Sequence, residues 1–198
     1  MTTYALILAG GRGERLGDVR KAGLRIGGKT LLNSVAEKLS GLSILVSTGP
    51  GPSPGFGIGV EIADASDDFE GPMAGISAAV RHLRPSAGPD DLLLTVAVDT
   101  PFLPRDFAAR MIASITEESN AAFAAWGDQI YPTNAIYRLD ALNRRLADTP
   151  PRSPKFLLQS LGAAKVDWAG HEKADPFANL NTLADLIALG RRAGAAHK

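Results

Sequence analysis

The chain has 198 residues, 45% of them hydrophobic and 21% charged, and its 21 basic and 21 acidic side chains give a formal net charge of zero. These values indicate one folded domain over residues 1–198, and they exclude a disordered tail, a coiled coil and a general electrostatic grip on nucleic acid or on a membrane surface. The sequence has no cysteine and no apolar stretch long enough to span a bilayer, which excludes a disulfide framework and leads us to expect a cytoplasmic protein.

The first half of the chain predicts strands that alternate with helices. Residues 3–9 form a continuous apolar run, which is typical of a strand buried on both faces, and a glycine-rich loop follows. The next predicted elements are a helix at 30–39, strands at 42–47 and 60–63, and a helix at 71–83. Residues 92–98 form the most apolar strand, which ends at Asp99.

The second half predicts one hairpin among helices. Strands at 121–126 and 130–136 flank a turn at Gly127 and Asp128. The predicted helices lie at 104–115, 140–147, 154–161 and 182–193, and the last begins with a capping box of Thr182 and Asp185. Strands that alternate with helices predict an α/β fold with a mostly parallel sheet, in which ligands bind beyond the carboxyl ends of the strands.

The loop after the first strand combines glycines and cations: Gly10, Gly11, Gly13, Arg15 and Lys21. Glycine lets backbone N–H groups approach an anion closely, and the two cations add positive charge. This pattern is typical of a triphosphate cradle, while the alternative is a tight turn with exposed basic residues. A dinucleotide-binding fingerprint is disfavoured, because Leu16 stands where that motif has glycine or alanine.

Residues 23–30 match the P-loop pattern G-x-x-x-x-G-K-[ST], with Lys29 as its lysine. A P-loop leaves a buried strand directly and enters a helix. A predicted helix follows here, but the residues before Gly23 are polar, and the chain around Arg25 alternates like a small strand that ends in a turn at Gly27 and Gly28. A P-loop NTPase is therefore the disfavoured alternative.

Acidic residues supply the catalytic candidates. Asp99 is the strongest, because a carboxylate after a buried strand suits a magnesium ion that bridges phosphates; the alternative is a helix-capping role. Four acids also precede the helix at 71–83, namely Asp64, Asp67, Asp68 and Glu70. One such carboxylate, placed opposite guanine, would accept hydrogen bonds from both N–H donors of the base. The spacing leaves open which of the four acids does so.

Two asparagines form the last candidate group. Asn179 and Asn181 alternate on an extended segment, so they face the same side. We expect them to bind a polar ligand, with turn formation and capping of the last helix as the alternative.

Together these segments resemble a known family. The stretch from Leu8 to Lys21 is similar to the signature loop of nucleotidyltransferases with the sugar-nucleotide pyrophosphorylase fold. The chain resembles the molybdenum cofactor guanylyltransferases more closely, through Lys21-Ala22-Gly23-Leu24, Gly28-Lys29, Asp64, Gly71-Pro72-Met73-Ala74-Gly75, Asp99-Thr100-Pro101, Pro132-Thr133 and Asn179-Leu180-Asn181-Thr182. This resemblance implies a single domain with a three-layer, Rossmann-like nucleotidyltransferase fold and a mostly parallel central sheet.

The resemblance also implies GTP as the nucleotide, Mg²⁺ as the cofactor, molybdopterin or molybdenum cofactor as the acceptor, and transient contact with cofactor-synthesis proteins or molybdoenzymes. The implied nucleotide-binding residues are Leu8, Ala9, Gly10, Lys21, Asp64 and Asp99, and we expect Gly11, Gly13 and Gly75 beside them. Asp99 is the implied magnesium ligand, and Asn179 and Asn181 lie towards the pterin. The expected catalytic residues are Arg15, Lys21 and Asp99.

The chain departs from this family at two positions. Arg20 precedes Lys21 where the family often has an acidic residue. Ser47 and Thr48 stand at the end of the second strand, where the family can carry an asparagine that contacts the nucleotide, and either residue could take its place. The alternatives that stay open are CTP as the nucleotide, a sugar phosphate as the acceptor, and a regulator that binds GTP without reaction.

Overall fold

The computed structural model describes residues 1–13, 19–64, 71–148 and 151–195. Its strands are β1 (Thr3–Leu8), β2 (Arg12–Gly13), β3 (Val19–Arg20), β4 (Arg25–Ile26), β5 (Lys29–Thr30), β6 (Ser43–Ser47), β7 (Val60–Ile62), β8 (Leu92–Ala97), β9 (Ala121–Trp126), β10 (Gln129–Arg138) and β11 (Ala164–Asp167). β2 pairs with β3 and β4 pairs with β5 in small hairpins after β1. The described strands that remain belong to one central sheet.

The central sheet has the order β11-β9-β10-β8-β1-β6-β7. β1 pairs in parallel with both β6 and β8, and the pairs β6–β7 and β9–β11 are also parallel. β10 runs antiparallel to β8 and β9. The prediction of a mostly parallel sheet with one hairpin is confirmed, and the carboxyl ends of β1, β6 and β8 meet at one edge.

Helices cover both faces of the sheet: α1 (Leu31–Lys38), α2 (Pro72–Leu83), α3 (Phe107–Ala113), α4 (Leu139–Ala147), α5 (Pro154–Ser160) and α6 (Leu183–Ala195). Alternate residues of β1 point to opposite faces. Ala5 and Ile7 belong to the core that includes residues of α1, α3 and α6, whereas Leu6 belongs to the core that includes residues of α2, α4 and α5. The three layers expected from the resemblance are confirmed.

Side-chain caps start two helices near the places that the sequence predicts. The Thr30 hydroxyl oxygen accepts the N–H of Asn33 at 3.1 Å and begins α1. At α6, the Asp185 N–H donates to Thr182 Oγ1 at 3.2 Å, and the Thr182 N–H donates to Asp185 Oδ2 at 2.8 Å. These reciprocal bonds satisfy N–H groups that a helix start leaves unpaired, and they confirm the predicted capping box.

Several elements differ from the prediction, and the first are β2 and β3, which pair within a stretch predicted to be a loop. α3 begins at Phe107 rather than at residue 104, because the residues after Pro104 form a turn in which the Phe107 N–H donates to the Pro104 carbonyl. The sequence did not predict β11, whose exposed edge position leaves Val166 as its one partly buried residue. No helix in the described ranges is both long and apolar enough to cross a membrane.

Candidate active site

The candidate site lies where β1, β6 and β8 end. Leu8 pairs with Ser47 on one side and with Ala97 on the other, so the three strand ends are in register. The Ala9 N–H donates to the Ser47 carbonyl at 2.9 Å, and the Val98 N–H donates to the Leu8 carbonyl at 3.2 Å. These bonds bring the residues after each strand to one edge, as predicted for ligand binding in parallel α/β sheets.

The first group of side chains is a triad of Lys21, Asp99 and Asn181. The Lys21 ammonium donates to Asp99 Oδ2 at 2.7 Å and to Asn181 Oδ1 at 2.7 Å. The side chains of Lys21 and Asp99 are each 15% exposed, so little water competes for their ion pair. The structure thus brings together three of the predicted site residues from distant parts of the chain.

The backbone around Asp99 is fixed on several sides. The Thr100 hydroxyl donates to the Ala97 carbonyl at 2.7 Å. The buried Asn134 accepts the Ala97 N–H on its Oδ1 at 2.9 Å, where the pairing of β10 with β8 has ended. The Leu180 N–H donates to the Asp99 carbonyl at 3.1 Å. The Asp99 carboxylate is therefore held before any ligand arrives.

The segment that carries Asn181 is anchored from both sides. Phe177 is fully buried and packs edge-on against Trp168, with ring centroids 5.1 Å apart. After Asn181, the capping box holds the start of α6, and the Asn181 N–H also donates to Asp185 Oδ2 at 3.0 Å. Asn179 and Asn181 are exposed on either side of buried Leu180, which confirms the predicted alternation.

A second group of side chains consists of Ser47, Asp64 and the start of α2 at Gly75. The Ser47 hydroxyl donates to Asp64 Oδ1 at 2.8 Å. Burial raises the pKa of Asp64 above its ordinary value, and the hydrogen bond from Ser47 opposes that shift. A Cβ atom at Gly75 would lie 2.4 Å from Ser47 Oγ, so glycine is required where α2 meets β6.

The glycine loop brings two backbones into close contact. A Cβ atom at Gly10 would lie 2.5 Å from the Gly49 nitrogen, and Gly49 itself has a φ of +79°, which favours glycine. Gly11 is exposed, and the backbone of Gly13 pairs with Val19. The predicted Arg15, Asp67, Asp68 and Glu70 lie outside the described residues.

Lys29 belongs to a surface hairpin. It lies in β5, after a turn in which Gly27 and Gly28 both have positive φ. Its ammonium pairs with Glu37 at 2.7 Å, and its side chain is 57% exposed. The small strand and turn predicted at this place are confirmed, and they give residues 23–30 a geometry unlike that of a P-loop.

The donor set decides what kind of metal this edge suits. Among the residues that the structure describes, no cluster of three or more histidine, cysteine, aspartate or glutamate side chains could hold an ion. Asp99 offers one carboxylate, and Mg²⁺ is commonly bound by one or two carboxylates together with substrate phosphates. The site therefore fits a magnesium ion that binds with a nucleotide.

Sequence reasoning did not single out Asn134. Its Oδ1 replaces a missing strand partner, whereas its Nδ2 is buried and has no hydrogen-bond partner within the described chain. The available signal was a polar residue within the mostly apolar run of β10. The sequence marks Ser47 and Thr48 as candidates to replace the family's asparagine, but the bond from Ser47 to Asp64 is visible only in the structure.

Comparisons with known proteins agree with this architecture. The family described as MobA-like NTP transferase domain matches residues 5–165. A molybdenum cofactor guanylyltransferase of Rhodopseudomonas palustris is 36% identical over 193 residues, covering 92% of this chain and 88% of that protein. One from Acidiphilium cryptum is 36% identical over 187 residues, covering 93% of this chain and 92% of that protein.

Two solved structures share the fold. The molybdopterin-guanine dinucleotide biosynthesis protein A of Archaeoglobus fulgidus has a TM-score of 0.71 and 22% identity, covering 98% of this chain and 100% of that one. The 2-C-methyl-D-erythritol 4-phosphate cytidylyltransferase of Thermus thermophilus has a TM-score of 0.66 and 24% identity, with the same coverage. The predicted nucleotidyltransferase fold is confirmed.

Proposed function

The chain belongs to the MobA-like NTP transferase family, and from this premise we propose that it transfers GMP from GTP to the terminal phosphate of molybdopterin or of its molybdenum form. The products are the guanine dinucleotide form of the acceptor and pyrophosphate. The observation that carries the proposal is the ammonium of Lys21, which joins the strand-end carboxylate of Asp99 to Asn181 beside the glycine loop.

The reaction needs alignment and charge stabilisation more than it needs a base. The attacking group is a phosphate oxygen, which is already ionised at neutral pH. It forms a bond to the α-phosphorus of GTP, and the bond from that phosphorus to the leaving pyrophosphate oxygen breaks. The chain therefore has to hold two anions in line and stabilise the charge that develops between them.

We assign the nucleotide to the loop after β1. Backbone groups bind the phosphates of GTP at Leu8, Ala9, Gly10, Gly11 and Gly13. Arg15 stabilises the leaving pyrophosphate, and Lys21 neutralises charge near the α-phosphate. Gly75 makes room for the Ser47 side chain beside the nucleotide site, and Asp64 accepts hydrogen bonds from the base.

Asp99 is the residue that would hold a magnesium ion. The ion supplies charge neutralisation and a template for the phosphates when it is bound. Asp99 contributes its carboxylate, and Lys21 contributes an ammonium group that already contacts Oδ2 of the same carboxylate. Asn179 and Asn181 lie towards the acceptor, since they flank the segment that is bonded to Asp99.

The decisive experiment follows label from α-phosphate-labelled GTP in the presence of magnesium and molybdopterin, with CTP in parallel. Transfer from GTP to a pterin dinucleotide, matched by pyrophosphate release, is expected. Transfer from CTP alone would move the chain to the cytidylyltransferases. No transfer from either nucleotide would overturn molybdopterin as the acceptor, and sugar phosphates would be tested next.

We extend the proposal to the setting of the reaction. Residues 1–198 act as one nucleotidyltransferase domain, which works in the cytoplasm where GTP is supplied. The chain makes transient contacts with cofactor-synthesis proteins or molybdoenzymes, because its product must pass to the enzymes that use it. Nucleic acid and membranes are not partners, in keeping with a formal net charge of zero.

A further inference from the structure

We propose that Ser47 is a positioning residue that aims the Asp64 carboxylate at the edge of guanine carrying N1–H and the 2-amino group. The inference rests on the proposed function and extends it from the transferred nucleotide to the choice of base. Ser47 acts through Asp64 and does not itself touch the reacting atoms.

The backbone of Ser47 is fixed by three strands. Ser47 is 2% exposed and is the last residue of β6. It lies in register with Leu8 of β1 and with Ile62 of β7, and its carbonyl accepts the Ala9 N–H at 2.9 Å. The backbone position from which the Ser47 side chain starts is therefore fixed by the sheet.

The direction of the Ser47 side chain is limited by α2. A Cβ atom at Gly75 would lie 2.4 Å from Ser47 Oγ, 2.8 Å from Ser47 Cβ and 3.0 Å from Leu8 Cδ2. The serine thus fills the space that the missing side chain of Gly75 leaves open. In this position its hydroxyl donates to Asp64 Oδ1 at 2.8 Å.

Asp64 is held without a cation. Its N–H donates to the Gly49 carbonyl at 3.1 Å, and its half-buried carboxylate takes part in no ion pair with a described lysine, arginine or histidine. A carboxylate accepts hydrogen bonds and donates none when ionised. Ser47 uses one lone pair of Oδ1, so Oδ1 and Oδ2 together can still accept hydrogen bonds. The carboxylate is therefore suited to a neutral partner that carries two adjacent N–H donors.

Guanine provides that pair of donors on a single edge, at N1 and at the 2-amino group. Adenine and cytosine each present an acceptor nitrogen next to their exocyclic amino group, and that acceptor would face the carboxylate. Hypoxanthine keeps N1–H and lacks the 2-amino group. The comparison of GTP with ITP therefore isolates the hydrogen bond that Ser47 is proposed to direct.

The test measures dissociation constants for GTP and ITP by calorimetry, without an acceptor, in four proteins: wild type, Ser47→Ala, Asp64→Ala and the double variant. We expect wild type to prefer GTP by about ten-fold, as for one hydrogen bond to a charged group. Ser47→Ala is expected to lose most of that preference, because its affinity for GTP falls. In the Asp64→Ala background, Ser47→Ala is expected to change nothing further.

Ser86→Ala is the matched control, because it also removes one hydroxyl. That hydroxyl lies beyond the C-terminal end of α2 and donates to the carbonyl of Leu83, the last residue of the helix. Its preference for GTP should equal that of wild type. The proposal is overturned if wild type does not distinguish GTP from ITP, if Ser47→Ala keeps the wild-type preference, or if Ser47→Ala has its full effect without Asp64. A wild-type protein that prefers GTP yet transfers no GMP to molybdopterin would overturn the proposed function and leave the role of Ser47 intact.

Discussion

Two carboxylates at the same sheet edge have opposite surroundings. Asp99 pairs with the ammonium of Lys21 at 2.7 Å, whereas Asp64 receives the neutral hydroxyl of Ser47 at 2.8 Å. A carboxylate already paired with a cation is suited to exchange that partner for another positive group near phosphates. A half-buried carboxylate without a cation is suited to neutral N–H donors. In the proposed function, the difference divides the site into a phosphate side around Asp99 and a base side around Asp64.

The phosphate side should give the largest effect when it is broken. In the proposed function Lys21 lies near the α-phosphate and Asp99 would hold the magnesium ion, so we expect Lys21→Ala and Asp99→Asn each to lower the rate of GMP transfer by about 10²–10³. Pyrophosphate release at saturating GTP measures this loss.

Lys29→Ala is the control for these variants, since it removes an exposed lysine whose pair with Glu37 is worth little. Its turnover should match wild type. If Lys29→Ala stopped the reaction and Lys21→Ala did not, the assignment of the phosphate side would be wrong and the P-loop alternative would return.

The second largest effect is expected on the base side, when a larger residue at position 75 fills the space that Ser47 occupies. Gly75→Ala places a methyl group 2.4 Å from Ser47 Oγ, and overpacking of this kind typically lowers the free energy of unfolding by about 1–3 kcal/mol. GTP binding should weaken as well, because Ser47 must move from Asp64. Thermal unfolding and GTP calorimetry measure the two effects.

Gly190→Ala is a matched helical substitution, because a Cβ atom at Gly190 meets nothing within 4 Å. It should raise the free energy of unfolding by about 0.4–1 kcal/mol, since alanine reduces the freedom of the unfolded chain. Equal stability changes at the two glycines would contradict the packing described for Ser47.

The link between the phosphate side and the acceptor is tested by Asn181→Ala. Lys21 then loses one of its two partners, and we expect the KM for the acceptor to rise by about ten-fold, in line with one hydrogen bond to a charged group. Asn33→Ala is the control, because it removes an exposed amide of α1 outside the site, and its KM for the acceptor should match wild type. A rise in the KM for GTP alone would place Asn181 on the nucleotide instead.

The smallest expected effect is a shift in pH dependence on the base side. Burial raises the pKa of Asp64 above 3.8, so acid should weaken GTP binding at a higher pH than for an ordinary aspartate. Ser47→Ala should move this acid limb to still higher pH, because it removes the bond that opposes the shift. Calorimetry of GTP binding across acidic pH measures both curves.

The same shift has a defined sign for stability. The folded chain holds the Asp64 proton more tightly than the unfolded chain, so protonation of Asp64 adds to the free energy of unfolding below the unfolded pKa. That contribution is lost as pH rises through the folded pKa. Asp64→Asn should therefore flatten this part of the stability profile, and an unchanged profile would contradict the burial of Asp64.

Local signals predicted most of the fold. The continuous apolar run of β8 and the reciprocal caps of Thr182 and Asp185 depend on neighbours in the sequence, and both are confirmed. β11 was missed because an exposed edge strand of four residues has almost no apolar pattern. Its pairing with β9, which lies outside any short window of sequence around it, defines that strand.

The candidate site was less accessible to sequence reasoning. The motifs marked Lys21, Asp99 and Asn181 one by one, but their contacts depend on how β8 and the segment before α6 meet in the fold. The Pro132-Thr133 motif ends one residue before Asn134, whose role is visible only because the pairing of β10 with β8 stops at Thr95, two residues before Ala97. The sequence therefore predicted several residues of the candidate site, but it did not predict the distances between their side chains.

The contact between Lys21 and Asn181 spans 160 positions along the chain. At a synthesis rate of about 5–20 residues per second, Asn181 leaves the ribosome roughly 8–32 seconds after Lys21. Asp99 follows Lys21 by 78 positions, so Lys21 and Asp99 can meet only in the later part of that interval, while the third member of the triad is not yet made. The phosphate side is thus among the last parts of the nascent protein to be finished, together with α6, which follows Asn181 and packs into the core.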